Sequence, residues 1–222
     1  MICLTKKGLT LVEMLFVTAI FSFVSIGLYS VLTTGQNAWY TADIASELQQ
    51  NLRNAMMRLT RELHQSGFKC SNPPTCTSTT VQVTILSGAG ENSTDILRFK
   101  IPVDYNQDTY IKNTSGIVEV WGANMTWGCS SFSCQKPLSP EFQTNNYQIE
   151  YLVDANRQLL RRVLDDSLNP IATDVFSRNI QGFQVILSGS AVTINLSVQK
   201  VTMSGKTITA NLSSQVLLRN RG

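Results

Sequence analysis

Residues 6–32 read KKGLTLVEMLFVTAIFSFVSIGLYSVL. Lys6 and Lys7 precede Gly8, and from Leu9 to Leu32 the run carries one charge, Glu13, and no proline. About 20 apolar residues suffice to cross a bilayer as a helix, so residues 9–32 are expected to span a membrane. The two lysines place the N-terminus in the cytoplasm and the rest of the chain outside. A secretory signal has an apolar core of roughly 7–15 residues and a small-x-small cleavage site behind it. This run is longer and has no such site, which leaves a signal anchor as the plain reading. Glu13 resists it: a carboxylate on an isolated membrane helix costs several kcal/mol and marks function.

K-K-G followed by L-T-L-V-E-M-L resembles the class III signal of type IV prepilins and pseudopilins. The resemblance implies that prepilin peptidase, a membrane aspartic peptidase, cuts between Gly8 and Leu9, removes the leader 1–8 and N-methylates Leu9. Glu13 then becomes the fifth residue of the mature chain. Most major pilins begin with Phe, and Leu9 departs from that as minor members do. The chemistry can be argued from the residues. Cleavage leaves a cationic amine on an apolar helix, and neither it nor Glu13 is tolerable alone in low dielectric. The amine of one subunit set against Glu13 of its neighbour neutralises both and fixes the register of two greasy helices.

Residues 33–66 contain no proline, and Ile44, Leu48, Leu52, Ala55, Leu59 and Leu63 recur at spacings of three and four. That is an amphipathic helix, with Arg53, Arg58, Arg61 and Glu62 mostly off its stripe and Gly67 expected as the C-cap. A helix from Leu9 to Ser66 would measure about 87 Å at 1.5 Å per residue. Residues 67–222 form a β-rich domain large enough for its own core. Period-two runs predict strands at 81–86, 96–101, 117–121, 147–153, 158–164, 183–187, 192–198 and 208–218. Asp154–Arg157 and Ser204–Lys206 read as hairpin turns, and Pro170–Asn179 as a short helix or turn. The fold class is α+β: a long N-terminal helix, membrane-spanning in its first half, packed against antiparallel sheet.

This layout narrows the resemblance. The helix end from Gln49 to Leu63 followed by Gly67-Phe68 looks like PilW-type minor pilins and the J-type pseudopilin of type II secretion. The Tyr147-x-Ile-x-Tyr151 hairpin leading to Leu160-Arg-Arg162, then Ile180-Gln-Gly-Phe183 and a closing Val216-Leu-Leu-Arg-Asn220, fits the same group. Residues 70–145 carry little of it. The resemblance implies as partners other pilin or pseudopilin subunits, prepilin peptidase, an inner-membrane assembly platform and the membrane itself. It also implies a single-pass inner-membrane subunit with a periplasmic domain, later built into a pilus or pseudopilus.

Cys3 would leave with the leader, and Cys70, Cys76, Cys129 and Cys134 lie beyond the membrane run. An even number outside the cytosol favours disulfides. Sequence leaves the connectivity open, with the local pairs Cys70–Cys76 and Cys129–Cys134 preferred over the alternatives and over free thiols. No Cys-x-x-Cys is present, so a thiol-redox role is disfavoured. His64 near Cys70 is read as a surface residue, Asp165-Asp166 with Asn169 as a solvated turn, and Trp121 and Trp127, with Tyr105 and Tyr110, as packing residues. Asn-x-Ser/Thr at Asn92, Asn113, Asn124, Asn195 and Asn211 is expected by chance in a chain this rich in Asn, Ser and Thr. No convergent titratable set points to catalysis, and no cofactor or metal is expected. The net charge is +3. With Lys6 and Lys7 removed, 16 basic residues face 15 acidic ones, a net of +1, which offers no electrostatic case for nucleic acid.

Overall fold

The computed structural model describes residues 10–70, 79–103, 118, 120–123, 147–202, 205–218 and 220–221. The chain forms two compact units, Met1–Ile44 and Ala45–Gly222. Helix α1, Leu11–Leu63, contributes to both. In the first unit its described residues are almost all exposed, apolar ones included.

In the second unit α1 buries the stripe that the spacing predicts: Leu48, Leu52, Ala55, Leu59 and Leu63 are all buried, and Met56 joins them. Arg53, Arg58 and Arg61 are exposed. Glu62 is not off the stripe as expected but buried beside Leu63, because it has a cationic partner inside the domain. The expected C-cap at Gly67 is also corrected. Helix α1 closes earlier, with the Gln65 and Ser66 N–H groups bonding back to the Glu62 and Leu63 carbonyls at 3.0 and 2.9 Å. These i→i−3 bonds tighten the last turn and release Gly67 into a strand.

The strands follow as β1 (Gly67–Cys70), β2 (Thr79–Val81), β3 (Val83–Leu86), β4 (Ile96–Phe99), β5 (Ile101–Val103), β6 (Val120–Gly122), β7 (Gln148–Val153), β8 (Leu159–Leu164), β9 (Pro170–Ser177), β10 (Ile180–Ser188), β11 (Ala191–Val201), β12 (Thr207–Leu217) and β13 (Asn220–Arg221). The main sheet is antiparallel in the order β3-β4-β7-β8-β9, and a second antiparallel sheet runs β10-β11-β12. Strands β5 and β6 pair antiparallel, whereas β1 pairs antiparallel with β2 and parallel with β13. Helix α1 with these sheets makes the α+β arrangement the sequence predicts.

Two predicted strands are broken. Residues 81–86 divide at Gln82 and residues 96–101 at Lys100, and the two break points meet, the Lys100 N–H donating to the Gln82 carbonyl at 3.0 Å. Most of the segment 170–179 is a strand, β9 (Pro170–Ser177), and not the expected helix or turn. Pro170 is its first residue, and β9 is the edge of its sheet, so the missing N–H costs little. The Asp154–Arg157 turn joins β7 to β8 as predicted. Arg157 donates back to the Asp154 carbonyl at 3.0 Å and takes φ 57°. Beyond β11, Thr202 accepts from and donates to Lys206 around Gly205, whose φ of 78° suits glycine. Ser204, the first residue of that predicted turn, lies outside the described residues.

Candidate functional site

The segment that decides function begins at Thr10. Its hydroxyl lies 3.4 Å from the Glu13 N–H, and its own N–H donates to Glu13 Oε2 at 3.3 Å. Thr10 and Glu13 thus form a reciprocal capping box, the T-x-x-E pattern that opens a helix. Reading the sequence for Glu13 alone assigns the acid to a neighbouring subunit and misses Thr10, although the pattern is legible in the T-L-V-E string. Gly8 and Leu9, the expected cleavage and methylation positions, lie outside the described residues, as do Cys3, Cys76, Cys129 and Cys134. Cys70 ends β1.

Along residues 11–32 every side chain is exposed, and Glu13 is the one carboxylate among them, with no Lys, Arg or His bonded to it among the described residues. The helix is long and apolar enough to cross a membrane. Its hydroxyls bond within the helix: Thr18 to the Leu15 carbonyl at 3.0 Å, Ser22 to Thr18 at 2.7 Å and Thr33 to Tyr29 at 3.0 Å. Such back-bonding hides a polar group from hydrocarbon. Among the described residues Glu13 has the weak cap alone, so it is the group that lipid or a packed helix core would penalise.

In the second unit the structure describes some of the other residues singled out from the sequence. Asp165 Oδ1 accepts from the Ser167 and Asn169 N–H groups at 2.9 and 2.8 Å, the geometry of a turn. Trp121 is buried in β6, and His64 is half-buried. Tyr105, Tyr110 and Trp127 lie outside the described residues. Sequence reasoning misses the buried cluster of Glu62, Tyr151 and Arg161. Arg161 grips Glu62 at 2.7–3.1 Å, and the Tyr151 hydroxyl donates to Glu62 Oε2 at 2.7 Å. Burial disfavours the Arg161 charge, but the hydrogen bonds and charge of Glu62 outweigh it and raise the pKa. Burial first, then Glu62, raises Tyr151 well above the ordinary phenol value. This cluster is buried within the domain and serves packing.

Residues 4–29 match the family model of the prokaryotic N-terminal methylation motif. No curated protein and no solved structure matches the chain. The motif supports a type IV pilin-like, prepilin-type protein, and with it processing by prepilin peptidase and assembly with other pilin subunits. The long apolar N-terminal helix fits the membrane anchoring of pilins, and the α+β arrangement is consistent with their fold.

Proposed function

We propose that this chain is a minor pilin or pseudopilin of the PilW or J type. It is a structural subunit, not an enzyme, that primes or tips a type IV pilus-like filament. Prepilin peptidase cuts after Gly8 and methylates Leu9. The apolar helix then holds the subunit in the inner membrane, with its β-rich domain in the periplasm, until the assembly platform inserts it into the filament. There Glu13 neutralises the terminal amine of an adjoining subunit. Cys70, Cys76, Cys129 and Cys134 form disulfides in that oxidising compartment. The observation that carries this reading is the methylation motif at residues 4–29 enclosing one acid, Glu13, on an otherwise apolar exposed helix. A pseudopilus of type II secretion would use the same physics. Mass spectrometry of the native chain tests the reading. It should begin at an N-methylated Leu9, and an intact Met1 would point instead to a signal-anchored binding protein. Deletion followed by microscopy of pili and an assay of secreted proteins separates the pilus from the secretion role.

A further inference from the structure

The tripeptide Asn-Leu-Ser occurs at 195–197 in β11 and again at 211–213 in β12. The antiparallel register sets the two copies against each other, Asn195 opposite Ser213 and Ser197 opposite Asn211. Opposed residues share a face, with β-carbons about 5 Å apart. Strand β10 extends both rows, placing Gln184 opposite Asn195 and Gly182 opposite Ser197. The intervening Leu196 falls on the other face and is buried.

The polar rows floor a groove of about 690 Å³. Its wall is the loop at Asn92–Thr94, and that loop is fixed to β10. Asp95 Oδ2 accepts from the Val185 N–H at 2.7 Å, and the Asp95 N–H donates to the Phe183 carbonyl at 2.9 Å. Gly182 keeps the floor open, since a β-carbon there would come within 2.7 Å of Ser197 Oγ. Among the described residues, the side chains of Gln184, Asn195, Ser197, Asn211 and Ser213 make no hydrogen bond to the protein.

The chemistry of this lining selects a ligand class. Among the described residues, no ionisable side chain lines the groove. Arg157 stands behind it with its Nη1 donating to Gln181 Oε1 at 2.8 Å, so its charge is turned to the protein and a charged ligand would be desolvated with little compensation. An apolar ligand would strand the amides in the same way. Each amide edge offers one donor and one acceptor, which complements two neighbouring hydroxyls of a sugar ring. A peptide binding by strand addition would need an unpaired sheet edge, whereas this groove lies on a face whose backbone is committed to the β10-β11-β12 ladder. We propose that the groove binds an uncharged oligosaccharide, giving the subunit an adhesive function beyond filament assembly.

The test uses the full chain in lauryldimethylamine oxide micelles, whose headgroup carries no sugar. It is applied to an array of uncharged, sialylated and sulfated oligosaccharides and neutral peptides, and each hit is titrated. At least one uncharged oligosaccharide should bind, weakened about tenfold or more in Asn195→Ala/Asn211→Ala, which loses two or more hydrogen bonds. Ser197→Ala/Ser213→Ala, a milder change to the same floor, should also weaken it, and Gln215→Ala, beyond the groove, should not. Melting temperatures of all variants establish that they fold. The proposal is overturned if no uncharged oligosaccharide binds at about 10 mM, if only acidic glycans or peptides bind, or if folded floor variants bind unchanged.

Discussion

Arg161 in β8 and Glu62 at the end of α1, 99 residues apart in sequence, form a two-pronged ion pair with the Arg161 side chain wholly buried. The pair fastens the helix to β8, the strand beside the edge of the main sheet. Desolvation offsets most of what such a pair gains, so it need not add net stability, yet removing one partner strands a buried charge at about 3–5 kcal/mol. Asp174, 3.8 Å from Arg161 and half exposed, compensates only weakly. Glu62→Gln should therefore lower unfolding free energy by about 3 kcal/mol, while Glu62→Met/Arg161→Met should recover most of the loss. The exposed Lys200–Glu47 pair, at 2.9 Å, makes the contrast: Lys200→Ala should cost under about 1 kcal/mol. Urea titrations of the four proteins check both statements.

Tyr151 gives the same cluster a pH dependence. Its hydroxyl is held neutral by burial and by Glu62, so its folded pKa lies above its unfolded value of 10.0. Above about pH 10 the unfolded chain releases a proton that the folded one retains. The stabilisation is complete below that pH and is lost as pH rises toward the folded pKa. Tyr151→Phe should cost about 1–2 kcal/mol at neutral pH, where Glu62 loses a donor. It should also flatten the alkaline fall in stability, measured as urea midpoints on either side of pH 10.

What the sequence discloses and what it hides divide along physical lines. The methylation motif, the apolar run and Glu13 are local patterns, and so is the 3.6-residue stripe from Leu48 to Leu63, because periodicity alone decides which face is buried. The strands with clean alternation, such as β11, are equally open to reading. Strand β9 is hidden because Pro170, Asp174 and Asn179 read as breakers, and only its place on the sheet edge makes Pro170 harmless. The partnership of Glu62 with Arg161 and Tyr151 is hidden because nothing local in a helix names its partner on a strand. The pairing of the two Asn-Leu-Ser copies likewise needs the β11–β12 register, which the sequence alone leaves unspecified.

Asp95 joins the two main sheets: its two carboxylate oxygens accept from Gly88 at 2.9 Å and from Val185 at 2.7 Å. Val185 is buried, so Asp95→Ala strands its N–H, whereas the exposed Gly88 N–H can turn to water. An unsatisfied buried donor costs about 1–3 kcal/mol. A loss of about 1–3 kcal/mol is expected in urea titrations, with faster amide hydrogen exchange at Gly88 and Val185. Unchanged exchange at both would show that the carboxylate does not fix the 88–95 loop.

The capping box at Thr10 and Glu13 gives the acid two separable duties, and two substitutions distinguish them. Glu13→Gln keeps a side-chain oxygen for the Thr10 N–H but removes the charge, whereas Glu13→Ala removes both. If the charge answers the neighbour's amine, both variants should be cleaved normally and both should enter filaments poorly. An unpaired amine in a packed helical core costs several kcal/mol, so incorporation should fall about tenfold or more in each. If only the cap matters, Glu13→Gln should assemble like the parent, because a lost cap costs just about 0.5–2 kcal/mol. Immunoblots of sheared filaments against whole-cell amounts measure the ratio, and normal incorporation of Glu13→Gln would remove the charge-pairing account.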